Sequence, residues 1–535
     1  MPADAPNSDP TYRDRVATTL TEAPPKAAPR WAYAVLGVLA AGFGIAIGTL
    51  VAAYIGPQFG PIDVVASSVI DLPPAAVKEF FTATFGTASK TVVVALVLVV
   101  VIAVAAWAGI RSRMRPMFGI QVMLIAGVVG AVAALLRPVD ALLAPVPPVV
   151  AGLAAALALW LLLRWSLRDV ATVSGDDAVV EPTTTLDRRR FLLASGGVVA
   201  VGVLALAGAR WLTDRASAVA SRVATMLPAP VETRPPLPAS VQVPGNTPFI
   251  TPNADFYRID TALIVPQVDP ADWSLTFDGM VRRPFTITYA DLIAMPMVER
   301  EITIMCVSNP VGGDYIGTAR WLGTPLMPLL EQAGLEPGAD QLLSTSTDGW
   351  TCSTPLDGLA EAEPLLAIGM NGEPLPIDHG FPVRMIVPGL YGFISATKWV
   401  TRIQATTYAA EPAYWTVRGW ATDAPVLTGS RIDLPKGDIA PGPTVIAGVA
   451  WAMAGDGISR VEVSIDDGPW QEANLAEQPT PRTWRQWWLE WEATSGLHTV
   501  AVRATNGLGE VQTSEVRDVI PSGATGYDIR PIRVA

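Results

Sequence analysis

The stretch EITIMCVSNP, residues 301–310, sets a short β-forming run, Ile302 to Met305, directly before a cysteine. Only one other cysteine, Cys352, occurs in the 535 residues. Four uses of Cys306 compete: a disulfide with Cys352, a buried inert thiol, a hydrolase nucleophile, or a thiolate ligand to a transition metal. A nucleophile needs a paired base, and the chain has only His379 and His498.

Away from this strand the chain is unusually apolar, with 50% hydrophobic and 16% charged residues and a mean hydropathy of +0.36. That is too apolar for an ordinary soluble enzyme of this length. The excess is concentrated in five runs, at 31–55, 91–110, 117–136, about 149–167 and 191–209, each near the ~20 residues that cross a bilayer. Arg13, Arg15, Lys26 and Arg30 precede the first, Arg111, Arg113 and Arg115 join the second to the third, and Arg164, Arg168 and Arg188 to Arg190 lie between the fourth and fifth. The segments 56–90 and 137–148 carry only Lys78, Lys90 and Arg137. The positive-inside rule then predicts a cytoplasmic tail at 1–30, a multi-pass membrane domain at 31–209 in contact with lipid, and everything beyond on the extracytoplasmic side. The fourth run follows Pro147 and Pro148 and needs Arg164 to snorkel; losing it would invert the outer part.

Before the fifth run, TLDRRRFLLASGGVV (185–199) resembles a twin-arginine export signal, with Arg188 and Arg189 as the pair, Phe191 and Leu192 following, and Asp187 where Ser or Thr is usual. That route exports domains already folded, often around a cofactor. Neither cysteine sits in CxxC and no histidine lies in the five runs, so no haem or iron–sulfur cluster is expected in this chain. With 49 carboxylates against 37 Lys and Arg, nucleic acid is not an expected partner.

Residues 226–254 are rich in proline, which predicts a linker or extended arm; the linker is placed at 210–244. From 257 the pattern is α+β. WSLTFDG (273–279) reads as a strand, FTITYADLIAMP (285–296) as a strand running into a helix, PLMPLLEQAGLEPG (325–338) as a helix closed by Gly334, and QLLSTSTDGWTCSTPL (341–356) as strand, turn and strand. Met370-Asn371-Gly372 is a hairpin signal, with strands expected at Val383 to Val387 and Lys398 to Ile403. Between them Gly389, Gly392 and Ser395 let a backbone approach a ligand. After about 420, TVIAGVAWAM, SRVEVSIDDGPW, RQWWLEW, LHTVAVRATNGLG and PIRVA are short strands with turns at Asp466-Asp467-Gly468 and Asn506-Gly507, the pattern of a β-sandwich. Trp484, Trp487, Trp488 and Trp491 belong to its core or a domain interface.

TPNADFYRID, then CVSN with TARWLGTPLMPLLEQAG, then MNGEPLPIDHGFPVRMIVPGLYGFISATKW, resemble successive signatures of the sulfite oxidase family of molybdopterin oxidoreductases. GVAWAMAGDGISRVEVSIDDGPWQEA and the strands after it resemble the immunoglobulin-like dimerisation domain that accompanies them, so the resemblance covers about 245–535. It implies three parts: an N-terminal α-helical transmembrane bundle, an α+β sulfite-oxidase-type molybdopterin domain at 245–410, and an all-β immunoglobulin-like sandwich at 411–535 that makes a homodimer. It further implies that Cys306 binds molybdenum beside a pyranopterin dithiolene. His379, Arg384, Ser395, Thr397 and Lys398 would hold the pterin phosphate, Tyr257 and Arg258 would lie near the cofactor, and Ser346 would be a further contact. Cys352 would be a buried bystander. The implied activity is a two-electron oxygen-atom transfer on a small substrate such as sulfite, an S-oxide or an N-oxide, with electrons exchanged with a separate protein or a quinone. The alternative is a tethered binding or assembly protein whose molybdopterin fold is catalytically silent. Two departures bear on substrate: Ile368 replaces the family's tyrosine before the MNG turn, and Asn309 to Gly312 replace basic residues after the metal cysteine. Arg258 and Arg320 are then the candidates for an anion site.

Overall fold

The computed structural model describes residues 27–71, 73, 84–85, 88–137, 142–174, 179–215, 218–232, 236–237 and 242–535. They form two units, one helical and one rich in β-sheet, divided near residue 213. Arg13, Arg15, Lys26 and Lys78, used above to orient the chain, lie outside the described residues.

The helical unit contains α1 (Arg30–Ile55), α2 (Pro61–Asp71), α3 (Ser89–Ser112), α4 (Pro116–Leu135), α5 (Val146–Ser166) and α6 (Arg188–Arg215). All but α2 are long and apolar enough to cross a membrane, with mean hydropathies of 2.2 to 3.0. Pro147 and Pro148 occupy the first turn of α5, where the missing N–H costs no helical bond. In an apolar solvent, helix association depends on close packing of small residues. A Cβ on Gly37 of α1 would overlap the Ala105 carbonyl of α3, and one on Gly109 would overlap the Tyr33 carbonyl, so these two backbones are in contact. Val99, Val100 and Ile102 of α3 are left exposed. The Asp187 carboxylate accepts the Arg190 amide at 3.1 Å and so caps α6, which accounts for an aspartate at that position. The segment between the fourth and fifth apolar runs forms the hairpin β1 (Leu167–Ser174) and β2 (Val179–Leu186).

The expected linker at 210–244 is not wholly linker, since α6 runs to Arg215 and α7 (Ala218–Ala224) follows. Leu, Ala and Trp residues there extend the helical pattern until the prolines begin. Beyond them the arm is pinned by hydrogen bonds, Val231 N–H to Met297 O at 2.8 Å and Val243 N–H to the Gln486 side chain at 2.6 Å.

Two five-stranded sheets make the α+β part. In the first, β5 (Val298–Met305) pairs with β6 (Ile316–Pro325), β6 with β9 (Leu365–Met370), and β9 with both β10 (Glu373–Pro374) and β11 (Arg384–Ile386). The second runs β4 (Phe285–Thr288), β3 (Ser274–Gly279), β12 (Val400–Thr406), β7 (Gln341–Ser346), β8 (Thr351–Pro355). A capping box at Thr288 and Asp291 starts α8 (Tyr289–Ile293), and Gly334, at φ 69°, closes α9 (Met327–Ala333). Asn371 and Gly372, at φ 54° and 83°, make the expected hairpin turn. Lys398 precedes β12 rather than opening it, because Trp399 takes a positive φ of 51° and breaks the extended run.

The all-β region has two antiparallel four-stranded sheets. One is β13 (Gly429–Leu434), β14 (Gly442–Trp451), β18 (Arg485–Ala493) and β17 (Asn474–Leu475); the other is β16 (Gln471–Glu472), β15 (Ile458–Ile465), β19 (Gly496–Asn506) and β20 (Asp528–Val534). Their inner faces share one core around Trp487, Val461 and Val502. Trp484 belongs instead to the cluster joining this region to the α+β part, with Met305, Val307, Tyr391 and Trp451. The strand β13 is not expected from sequence, because GSRIDL alternates too briefly to stand out.

Candidate active site

Register places Cys306. Met305 is the last paired residue of β5, opposite Ile316, and the Cys306 N–H continues the ladder to Tyr315 O at 2.9 Å. The thiol is thereby held, 8% exposed, on the wall of a cleft. Both cysteines are free thiols and each is buried, so the disulfide reading is overturned. Cys352 lies in β8 and contacts Thr354 Oγ1 at 3.9 Å.

Of the residues picked out by sequence, Tyr257, Ser346, His379, Arg384 and Lys398 line the same cleft as Cys306. His379 sits in a 3-10 turn, Ile377–His379, ended by Gly380 at φ 113°. A Cβ there would press on the Lys398 backbone at 3.1 Å. That glycine lets the His379 turn and the Lys398 segment meet. The Lys398 ammonium binds Asp260 at 2.6 Å and the Asp378 carbonyl at 3.0 Å. Arg384 lies over the Trp321 ring, 5.4 Å from its centroid.

Burial governs the charge state of these groups. It pushes Lys398 down to about 8, with Asp260 opposing, and Arg384 down to about 10, with Tyr257 and Asp260 opposing. Burial and then Arg384 push His379 down to about 4, so its ring is neutral at pH 7. The Tyr257 phenol is raised, chiefly by burial, and stays protonated. Burial likewise raises the Cys306 thiol, opposed by bonds from Ser308.

Of the residues expected to contact the cofactor, three are not on the cleft. Arg258 turns outward and pairs with Asp260 at 2.9 Å. Ser395 donates to the Leu390 carbonyl at 3.1 Å, and the Thr397 hydroxyl meets Ser344 Oγ at 2.6 Å. Strand and turn geometry aims these two hydroxyls into the protein interior. Ile368 is wholly buried in the core with Met385 and Val400, and Arg320 pairs across the strands with Glu301 at 2.9 Å; neither lines the cleft. Sequence reading missed Asp260, Asp348, Trp350, Phe393, Trp399, Trp415 and Trp420, all of which do. Asp260 stood in a quoted motif, but the tryptophans at 415 and 420 carry no local signal.

Two buried polar atoms on this cleft, Ser346 Oγ and Arg384 Nε, have no protein partner. Native interiors satisfy such groups, so each points to a bound acceptor. Buried cations, orphaned donors and a soft sulfur together fit an anionic cofactor carrying a thiophilic metal.

Comparison with known proteins agrees. Residues 262–415 match the oxidoreductase molybdopterin binding domain, and 429–518 match the Mo-co oxidoreductase dimerisation domain. The sulfite oxidase of Gallus gallus is 30% identical over 335 residues, covering 54% of this chain and 69% of that protein. The uncharacterized oxidoreductase YuiH of Bacillus subtilis is 34% identical over 181 residues, 34% of this chain and 87% of that one. The chain belongs to the sulfite oxidase family of molybdenum-dependent oxidoreductases. Mitochondrial sulfite oxidase of Rattus norvegicus is 32% identical over 294 residues, covering 45% of this chain. The chain spans about half the length of the mammalian relatives it matches, 53% of the rat and mouse proteins.

In this family member the all-β region also grips the segment after Cys306. Arg431 of β13 donates to Gly313 O at 2.9 Å, and Arg530 of β20 to Gly312 O at 3.0 Å. Arg431 is itself buried and held by Asp433 at 2.6 Å. Arg431→Ala would leave that carboxylate buried and unpaired, a loss of about 3–5 kcal/mol. Calorimetry should show the destabilisation, and in cofactor-free protein iodoacetamide should alkylate Cys306 faster than in wild type.

Proposed function

We propose that this protein is a membrane-anchored, extracytoplasmic oxidoreductase that exchanges an oxygen atom between a small substrate and water while two electrons pass between that substrate and a separate redox partner. The observation carrying this reading is the convergence of Cys306 with Arg384, Lys398, neutral His379 and the orphaned Ser346 hydroxyl on one cleft. Cys306 is the thiolate ligand to molybdenum. Arg384 offers its Nε–H and fork to the pterin phosphate, Lys398 adds a charge that Asp260 orients, and Ser346 and His379 supply neutral hydrogen bonds. When bound, the molybdenum pyranopterin supplies the two-electron redox couple and the oxygen-transfer chemistry. Tyr257, protonated throughout the working pH range, donates its O–H at the cleft wall. Electrons pass to or from a separate carrier protein or a quinone, and the immunoglobulin-like region, by its match to a dimerisation domain, pairs two copies.

Molybdenum and pterin assayed on the purified full chain should be near-equal to protein. Their absence would instead leave a tethered binding or assembly protein. Crosslinking in membranes should give a dimer.

The arginine bias and the five apolar helices support an orientation with residues beyond about 210 outside. Alkaline phosphatase fused after Ala535 should be active and β-galactosidase inactive; the reverse pattern rejects five spans. Changing Arg188 and Arg189 together to Lys keeps the charge, yet should strand the outer unit in the cytoplasm. Normal export of the double variant would leave the pair only its positive-inside role.

A further inference from the structure

We propose that Phe393, Trp415 and Trp420 form the substrate-selecting wall of this cleft, and that they select neutral S-oxides bearing an alkyl or aryl group over oxyanions. The inference rests on the reading of Cys306 as the mark of the reacting centre.

The wall adjoins that centre. Phe393 and Trp420 pack in one apolar cluster with Met305 and Val307, the neighbours of Cys306 on either side, and Trp415 packs against the same cluster. The rings are set at angles to one another: Phe393 and Trp420 at 5.7 Å and 54°, Trp415 and Trp420 at 5.9 Å and 72°. All three line the cleft.

The charges are accounted for elsewhere. Among the described residues, the cations lining the cleft are Arg384 and Lys398, the only such side chains besides neutral His379. Lys398 is committed to Asp260 and the Asp378 carbonyl, and the unsatisfied Nε of Arg384 is committed to the cofactor phosphate in the proposed reading. What remains is Asp348, an acid. An oxyanion such as sulfite would shed its water against aromatic faces with no countercharge and with a carboxylate on the same cleft, which is unfavourable. A sulfoxide is dipolar but uncharged, and its substituents gain from leaving water.

In the reaction one sulfoxide takes up two electrons and two protons and yields one thioether and one water. The sulfur–oxygen bond breaks, the sulfur is reduced, and the oxygen leaves with both protons as water. The electrons come from two equivalents of a reduced one-electron carrier, for which a reduced viologen dye stands in.

The test uses the full chain, molybdenum-loaded, in detergent. Across dimethyl, ethyl methyl, propyl methyl and butyl methyl sulfoxide, kcat/KM should rise about fourfold per methylene, the value of one buried methylene. Trp415→Ala should flatten this series, and Trp415→Phe should restore most of it. Methyl phenyl sulfone, a neutral shape analogue, should bind the wild type by calorimetry about tenfold more tightly than it binds Trp415→Ala. A flat series in wild type, or sulfite turnover faster than that of any sulfoxide, overturns the wall. Failure to turn over any oxide or sulfite at full molybdenum content overturns the oxygen-transfer reading instead; equal sulfone binding by wild type and Trp415→Ala then overturns the wall as well.

Discussion

Cys306→Ser should retain pterin but lose oxygen-atom transfer by more than the ~10–100-fold typical of disturbing a group behind a metal ligand. A serine hydroxyl is a harder and far less ionised donor than a thiolate, so the metal's redox couple changes along with its geometry. The strand that presents the residue should be unaffected, since its position depends on the backbone bond to Tyr315 at 2.9 Å. Steady-state turnover with a reduced dye, together with the electron paramagnetic resonance signature of the metal, reads both effects. Cys352→Ser is the control. That thiol is fully buried beside small hydroxyl side chains, with Thr354 at 3.9 Å, so the change should be nearly silent. Full turnover in Cys306→Ser would remove the metal-ligand assignment.

Arg384→Met should strip the protein of cofactor. Methionine keeps apolar volume against the Trp321 ring but removes the orphaned Nε–H and the buried charge. Truncating one partner of a buried, hydrogen-bonded charge pair costs about 2–5 kcal/mol, which corresponds to roughly 30- to 4,000-fold weaker retention. Molybdenum and pterin should therefore both fall well below stoichiometry after gel filtration. Because a buried cation with no bound anion is itself unfavourable, the cofactor-free variant should melt no lower than cofactor-free wild type. Full cofactor content in Arg384→Met would assign the phosphate to other donors, Lys398 and Ser346 first.

Much of this protein was legible locally. Five apolar runs became five helices, because runs rich in Leu and Ala favour the helix and a helix satisfies its backbone groups within the segment. The strand before Cys306, the hairpin at Asn371-Gly372 and the helix stop at Gly334 followed from alternation and from the positive φ those turns need. Cys306 stood out from the residues themselves, Arg384, Lys398, His379 and Ser346 were named through the family resemblance, and the fold gathers all five on one cleft.

What the sequence by itself determined was therefore element type, order and the chemically distinctive residues, since these depend on near neighbours along the chain. Only the tertiary structure decided where side chains point and who their partners are. Ser395 and Thr397 sit in the same motif as Lys398, yet their hydroxyls are used inside the protein, at Leu390 O and Ser344 Oγ. Arg258 and Arg320 looked free to bind an anion and are paired with Asp260 and Glu301. Trp415 and Trp420 reach the cleft from more than a hundred residues beyond Cys306. Register, burial and long-range pairing are properties of the packed chain, and an apolar ring or a charge has the same local signal whether it ends in a core, an ion pair or a substrate wall.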